Sequence, residues 1–182
     1  MRYTFVGHTS PVTVLAWNKE STYIASAGDE GGKVWVWNAL QDEQEAGHVG
    51  QSGRVLSLAW PGPDATNASP SIDVILSGAE DGTVQVWDAE SGKAITTHAE
   101  RGGIKALLAP FSGGVLLAGD DHIIHYWALI DGNPSPIPVT YQGHTGAINA
   151  LAEGSGYFAS ASDDGTVHAW RIPEKVAPTF PS

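Results

Sequence analysis

Short apolar runs and polar, glycine-bearing turns alternate along almost the whole chain, and the alternation itself repeats. Val12–Trp17, Val55–Trp60, Ile104–Ala109 and Ile148–Ala152 are apolar at most positions, as expected of strands buried on both faces. A second set of strands is predicted at Tyr23–Ala27, Val74–Gly78, Val115–Ala118 and Tyr157–Ala161. Tight turns follow, as in Glu80-Asp81-Gly82 and Asp163-Asp164-Gly165, where Asp-Gly supplies hairpin geometry. A third set ends on Trp37, Trp87, Trp127 and Trp170, in the phrases SAGDEGGKVWVW, SGAEDGTVQVW, LAGDDHIIHYW and SASDDGTVHAW. These tryptophans stand 50, 40 and 43 residues apart. Self-similarity at roughly 40–45 residues predicts a radial array of four-stranded blades. Such units cannot bury their apolar faces alone and need a neighbour on each side. The predicted fold is all-β.

Fourth strands are expected near Gln44–Ala46, Lys93–Thr97 and Ile137–Gln142. A segment of the same kind, Arg2–Val6, precedes the first unit. After Trp170 comes RIPEKVAPTFPS, whose prolines cannot donate to a strand ladder. The chain therefore divides into a four-blade domain, 1–172, and a Pro-rich tail, 173–182. The last blade lacks its outer strand unless Arg2–Val6 supplies it. Four blades closing a circle would each fill about 90°, against about 45° for eight. The outer strands, KAITT and QEA, are too small to fill so wide a wedge. The expectation is an eight-blade ring of two copies, with Arg2–Val6 of each pairing with the Trp170 strand of the other. Missing blades from a different polypeptide are the alternative. The longer second repeat owes its length to Val49–Arg54 and to PGPDATNASPS, both predicted surface loops.

The pattern of Gly-His, then Ser-x-Asp-Gly-Thr-Val, then a terminal Trp resembles the WD-repeat β-propeller family, and its wording is most similar to bacterial members. The resemblance implies a His–Ser/Thr–Asp–Trp hydrogen-bonded chain in each blade. In repeat four this would be His144, Ser162 (Ser160 as the alternative), Asp164 and Trp170. Repeat two would use His48, Ser77, Asp81 and Trp87. Repeat one would use His8, Ser26, Asp29 or Glu30, and Trp37. Repeat three keeps His98, Asp121 and Trp127 but carries Leu117 and Gly119 at the serine positions and His122-Ile123 in place of Gly-Thr. A His–Ser–Asp set also suits a hydrolase triad, but recurrence with the blade marks it as structural.

The resemblance further implies a non-catalytic scaffold binding proteins or peptides through the loop face. The acids just ahead of the network Asp are candidates there: Asp29 or Glu30, Glu80, Asp120 and Asp163. This acidic set implies a basic ligand segment; with 9 Lys plus Arg against 20 Asp plus Glu, the net charge of −11 permits such a partner without demanding it and argues against nucleic acid. The absence of cysteine excludes a disulfide scaffold and a thiolate metal site. No membrane span or signal-peptide core is evident, which makes the cytoplasm the expected location. Asn67-Ala68-Ser69 is a formal glycosylation acceptor that means little without a secretory signal. His122 and His125 beside Asp120 and Asp121 suggest a metal cluster. Residues three apart on a strand face opposite sides, however, and no further ligand is evident, so no metal or cofactor is expected. A hydrolase or metal-dependent enzyme using the channel or the His122 region is the competing reading, as is a propeller fragment whose sole partner is itself.

Overall fold

A computed structural model describes residues 4–40, 43–49, 51–61, 73–110, 114–130, 133–134 and 139–172; of 43–49, 129–130 and 133–134 it describes the backbone. The tail 173–182 and the loop at 62–72, including Asn67-Ala68-Ser69, lie outside the described residues, as do Arg2 and Ile137. Blade one comprises β1 (Val12–Trp17), β2 (Tyr23–Gly28), β3 (Lys33–Asn38) and β4 (Glu43–Val49). Blade two comprises β5 (Val55–Ala59), β6 (Val74–Ala79), β7 (Thr83–Asp88) and β8 (Ala94–Ala99). In blade three, β9 (Ile104–Leu108), β10 (Val115–Gly119) and β11 (Ile124–Trp127) precede a short ribbon, β12 (Leu129–Ile130) with β13 (Asn133–Pro134), and then β14 (Val139–Tyr141). Among the described residues blade four has three strands, β15 (Ile148–Gly154), β16 (Tyr157–Ser162) and β17 (Val167–Arg171).

Every blade is an antiparallel meander in chain order, and β1, β5, β9 and β15 lie side by side in that order. Each inner hairpin carries a one-residue bulge at the same place, leaving Thr13, Leu56, Lys105 and Asn149 out of register. A bulge of this kind bends the strand and re-aims a side chain. Gly119 sits at the bulge of blade three, where a Cβ would approach Gly103 O at 1.8 Å, so no other residue fits.

The apolar strands bury themselves between blades rather than within them. Ala25, Val34, Val55, Trp60, Ile75 and Trp87 form the core between blades one and two. Val84, Val86, Ile104, Val115, Leu117 and Trp127 fill the next, and Leu116, Ile124, Tyr126, Ile148 and Phe158 the third. Four blades thus share three cores among the described residues, and the two outward faces stay bare. Val167 of β17 is 71% exposed, whereas Val34, Val84 and Ile124 at the same place in the other blades are each 0%. On blade one, Leu15 is 63% and Trp17 47% exposed, against 9% for Leu58 and 8% for Trp60 of blade two. The arc is open.

Residues 4–8 add no strand to β17 of their own chain. They lie on blade one, where the Phe5 ring stacks on Trp37 with centroids 5.3 Å apart and meets Trp35 edge-on at 6.0 Å. In an open arc blades one and four are its two ends, so an outer strand for β17 cannot come from this segment without a second copy.

Candidate functional site

Blade four holds the complete hydrogen-bonded chain. Trp170 Nε1 donates to Ser160 Oγ at 2.8 Å, and Ser160 Oγ is 2.7 Å from His144 Nε2. His144 Nδ1 then lies 2.8 Å from Asp164 Oδ2. With the indole as donor, the serine hydroxyl donates to Nε2, and Nδ1–H donates to the carboxylate. Asp164 also accepts from Thr145 N at 2.9 Å, Thr166 N at 2.8 Å and Thr166 Oγ1 at 2.6 Å. Hydrogen bonds from Thr166 and Thr145 hold its carboxyl well below the ordinary range, against a smaller opposing effect of burial. The serine in the chain is Ser160, not Ser162. Ser160 stands opposite His168, two residues along β16 from the Phe158–Trp170 pair, within reach of the indole. Ser162 lies one hairpin step further and donates to Gly146 O at 2.9 Å. His168 stacks on His144 at 4.2 Å.

In blade one a glutamate does the aspartate's work. His8 Nε2 is 2.8 Å from Ser26 Oγ and Nδ1 is 3.0 Å from Glu30 Oε2. Thr9 N and Thr9 Oγ1 also donate to Glu30, as does Trp35 Nε1 at 2.8 Å. Burial pushes the Glu30 carboxyl up, but the donors from Thr9, Trp35 and His8 outweigh it and bring it down to about 2. Glu30 is therefore a buried network group, and of the Asp29/Glu30 pair only Asp29 is exposed. Trp37, the network tryptophan by sequence, instead carries the Phe5 stack, and Trp35 reaches the carboxylate.

Blades two and three depart further. The network histidine precedes the first apolar residue of the inner strand by four positions, as His8 precedes Val12 and His144 precedes Ile148. That register falls on Gln51 in blade two and Glu100 in blade three. His48 and His98 sit earlier, on β4 opposite Val34 and on β8 opposite Val84. The His98 ring packs on Trp127 at 5.2 Å, whereas the His48 side chain lies outside the described residues. Gln51 Nε2 donates to Ser77 O at 3.0 Å and Thr83 O at 3.1 Å, while Trp87 Nε1 donates to Ser77 Oγ at 2.8 Å. Asp81 accepts from Thr83 N at 3.0 Å, Thr83 Oγ1 at 2.6 Å and Ser52 Oγ at 2.7 Å. In blade three Leu117 replaces the serine, and Asp121 Oδ2 lies 2.7 Å from His125 Nε2 instead. His122 adopts φ +66°, the left-handed region where the matching Gly32, Gly82 and Gly165 have +81° to +83°. Counting back from each inner strand would have found Gln51 and Glu100.

Asp29, Glu80, Asp120 and Asp163 are all exposed and occupy one register, just ahead of the network carboxylate, which sets them on one face. Their surroundings differ. Arg54 Nε pairs with Asp29 at 3.2 Å, and Lys105 Nζ with Asp120 at 2.8 Å. Asp163 accepts from Asn149 Nδ2, and Glu80 from Arg54 N at 3.2 Å. The bulge aims Lys105 and Asn149 at these acids. His122 is exposed and contributes to holding Asp120 low, behind the larger effect of Lys105.

Successive antiparallel meanders packed face to face, one of them holding a complete Trp–Ser–His–Asp chain, define a β-propeller repeat protein. The chain belongs to the WD40 family: the family model described as "WD domain, G-beta repeat" matches residues 1–38, 43–88 and 136–171. The unmatched span 89–135 includes β9, β10 and β11 of blade three, where the network is rewritten. The chain is 28% identical over 192 residues to Telomerase protein component 1 of Mus musculus, covering 95% of this chain and 6% of that protein. It is 26% identical over 141 residues to COMPASS component SWD3 of Saccharomyces cerevisiae, covering 71% of this chain and 42% of that protein. The chain thus spans less than half the length of either relative. Crystal structures of two computationally designed proteins are similar in fold. Ika4 has a TM-score of 0.75 at 27% identity, covering 94% of this chain and 97% of that one. Ika8 has a TM-score of 0.73 at 27% identity, covering 93% of this chain and 48% of that one. No helix among the described residues is long and apolar enough to cross a membrane.

Proposed function

We propose that this chain is half of an eight-blade ring closed by a second copy of itself, and that the ring is a non-catalytic scaffold for protein or peptide partners. The observation that carries the reading is the pair of bare blade faces, one at each end of the arc. Val167 on blade four occupies a position that is fully buried in each of the other blades, and Leu15 and Trp17 on blade one occupy positions that are buried or half-buried wherever a neighbouring blade is present. A two-fold axis would bring each bare face against its complement on the other copy, twice, and leave no face free. The likeness to about half of the Ika8 chain supports the same arithmetic. In this reading Phe5 leaves blade one, and residues 2–6 pair with the open edge of the partner's β17.

The scaffold role is supported by family membership and by a relative named as a component of COMPASS. Chemistry argues the same way. Ser160 is 1% exposed, and its oxygen already accepts the Trp170 indole N–H, so it cannot reach a substrate carbonyl as a nucleophile. The partner surface is the face bearing Asp29, Glu80, Asp120 and Asp163, and the partner segment is basic. Nucleic acid and membrane are not partners in this reading, and the location is the cytoplasm. Co-capture of an untagged copy by a tagged one tests ring closure. Capture is expected for the native chain and lost in Val167→Asp and in Leu15→Asp. Capture that survives both substitutions, or is absent throughout, refutes it; the latter outcome favours blades supplied by further repeats or another polypeptide.

A further inference from the structure

We propose that blade three binds a divalent cation of the zinc type between Glu100, Asp121 and His125. One carboxylate oxygen from each acid and one ring nitrogen of His125 lie within 4.8 Å of one another, and all three side chains are half-buried. Glu100 comes from the loop between β8 and β9, Asp121 from the hairpin turn, and His125 from β11. Glu100 is the third ligand; it lies 21 residues before Asp121, and the fold brings it beside His125.

Comparison between blades shows what sets this trio apart. The turn carboxylate elsewhere is occupied by donors from the protein. Glu30 takes Thr9, Trp35 and His8; Asp81 takes Thr83 and Ser52; Asp164 takes Thr145, Thr166 and His144. In blade three Ile123 stands where Thr83 and Thr166 supply a hydroxyl. Asp121 accepts from Ile123 N at 3.1 Å and faces His125 Nε2 at 2.7 Å. Lone pairs that the other turns fill are left to a ligand. Glu100 brings a second acceptor-only group to the position of the network histidine. Blade four sets one carboxylate among two imidazoles; blade three sets two carboxylates against one. Lys105, two residues into β9, is held by Asp120 at 2.8 Å.

The donor set selects the ion. One imidazole nitrogen with two carboxylate oxygens suits zinc, whereas calcium and magnesium prefer oxygen alone. Ligand bonds of about 2.0–2.2 Å bring donors to roughly 3.3–3.5 Å apart, a contraction that small side-chain rotations of half-buried groups supply. Water completes the coordination. The ion would tie the loop before β9 to the β10–β11 hairpin, the connection that His144 and Asp164 make in blade four. It compensates for the Ser–His–Trp links that Leu117 and Glu100 remove.

The test is titration of the metal-stripped 182-residue chain with ZnCl2, followed by calorimetry. One saturable equivalent per chain is expected, undisturbed by excess Mg2+. Glu100→Gln and His125→Gln are each expected to weaken it at least about tenfold, while His122→Gly and His168→Ala leave it unchanged. Far-UV circular dichroism checks folding; should His125→Gln unfold, Glu100→Gln on the loop decides. Absence of a saturable equivalent overturns the proposal, as does affinity unaltered by Glu100→Gln or loss confined to His168→Ala.

Discussion

Ser160→Ala isolates the hydrogen-bonded chain of blade four more cleanly than any other change. Ser160 is almost wholly buried and touches two partners, the Trp170 indole at 2.8 Å and His144 Nε2 at 2.7 Å. Removing the hydroxyl leaves a donor and an acceptor without their mate. Each such group costs about 1–3 kcal/mol when kept from water. Because Trp170 is only half-buried, the expected loss is about 2–4 kcal/mol rather than the full sum. For a chain of this size that lowers the melting temperature by roughly 5–15 °C. Ser162→Ala, two residues away and partly exposed, is expected to cost about 1 kcal/mol. The assay is urea unfolding at one fixed protein concentration, since association shifts apparent stability. Adding Trp170→Phe completes a double-mutant cycle, and the pair should couple by about 1–2 kcal/mol. If Ser160→Ala costs no more than Ser162→Ala, or the cycle shows no coupling, the assignment of Ser160 over Ser162 fails.

Three further outcomes follow from the same geometry. Glu30 is lowered in the folded chain from its ordinary 4.5 to about 2, so the unfolded state binds the extra proton between those values. Stability from this group is full above pH 4.5 and disappears as pH falls towards 2; Glu30→Gln should flatten part of that slope in acid unfolding, and an unchanged slope would contradict the network role. His122→Gly relieves a left-handed backbone and should stabilise the chain by roughly 1 kcal/mol in the same urea assay; destabilisation would show that the imidazole does more than fill a turn. Binding of a Lys/Arg-rich peptide should weaken as salt rises and fall when Glu80, Asp120 and Asp163 become Gln or Asn, read by fluorescence anisotropy. Affinity indifferent to both would remove the acidic face from the account.

How much of this was legible in the sequence depends on what kind of signal carried each part. Strand positions were readable because apolar runs and Asp-Gly turns are local: Val12–Trp17 stands as β1, and Tyr23–Ala27 lies within β2. The network was harder. His48 and His98 follow the resemblance of a Gly-His or Thr-His pair, but hydrogen bonding obeys the distance back from the inner strand, which selects Gln51 and Glu100. Ser160 against Ser162 could not be decided from two serines of equal parity; only the pairing of Phe158 with Trp170 fixes the reach of the indole. Asp29 and Glu30 could not be told apart as network carboxylate or loop acid because an inserted residue hides the register, and burial reveals Glu30 as the blade's turn carboxylate. Glu100 beside His125 is a tertiary fact with no local trace.

Stacked blades with two bare ends make a single demand, that something cover Leu15 and Val167. Sedimentation equilibrium of the native chain over a range of concentrations measures that demand as a mass. Twice 19.1 kDa, held on dilution, is the predicted result; a stable, cooperatively folding species of 19.1 kDa would contradict it.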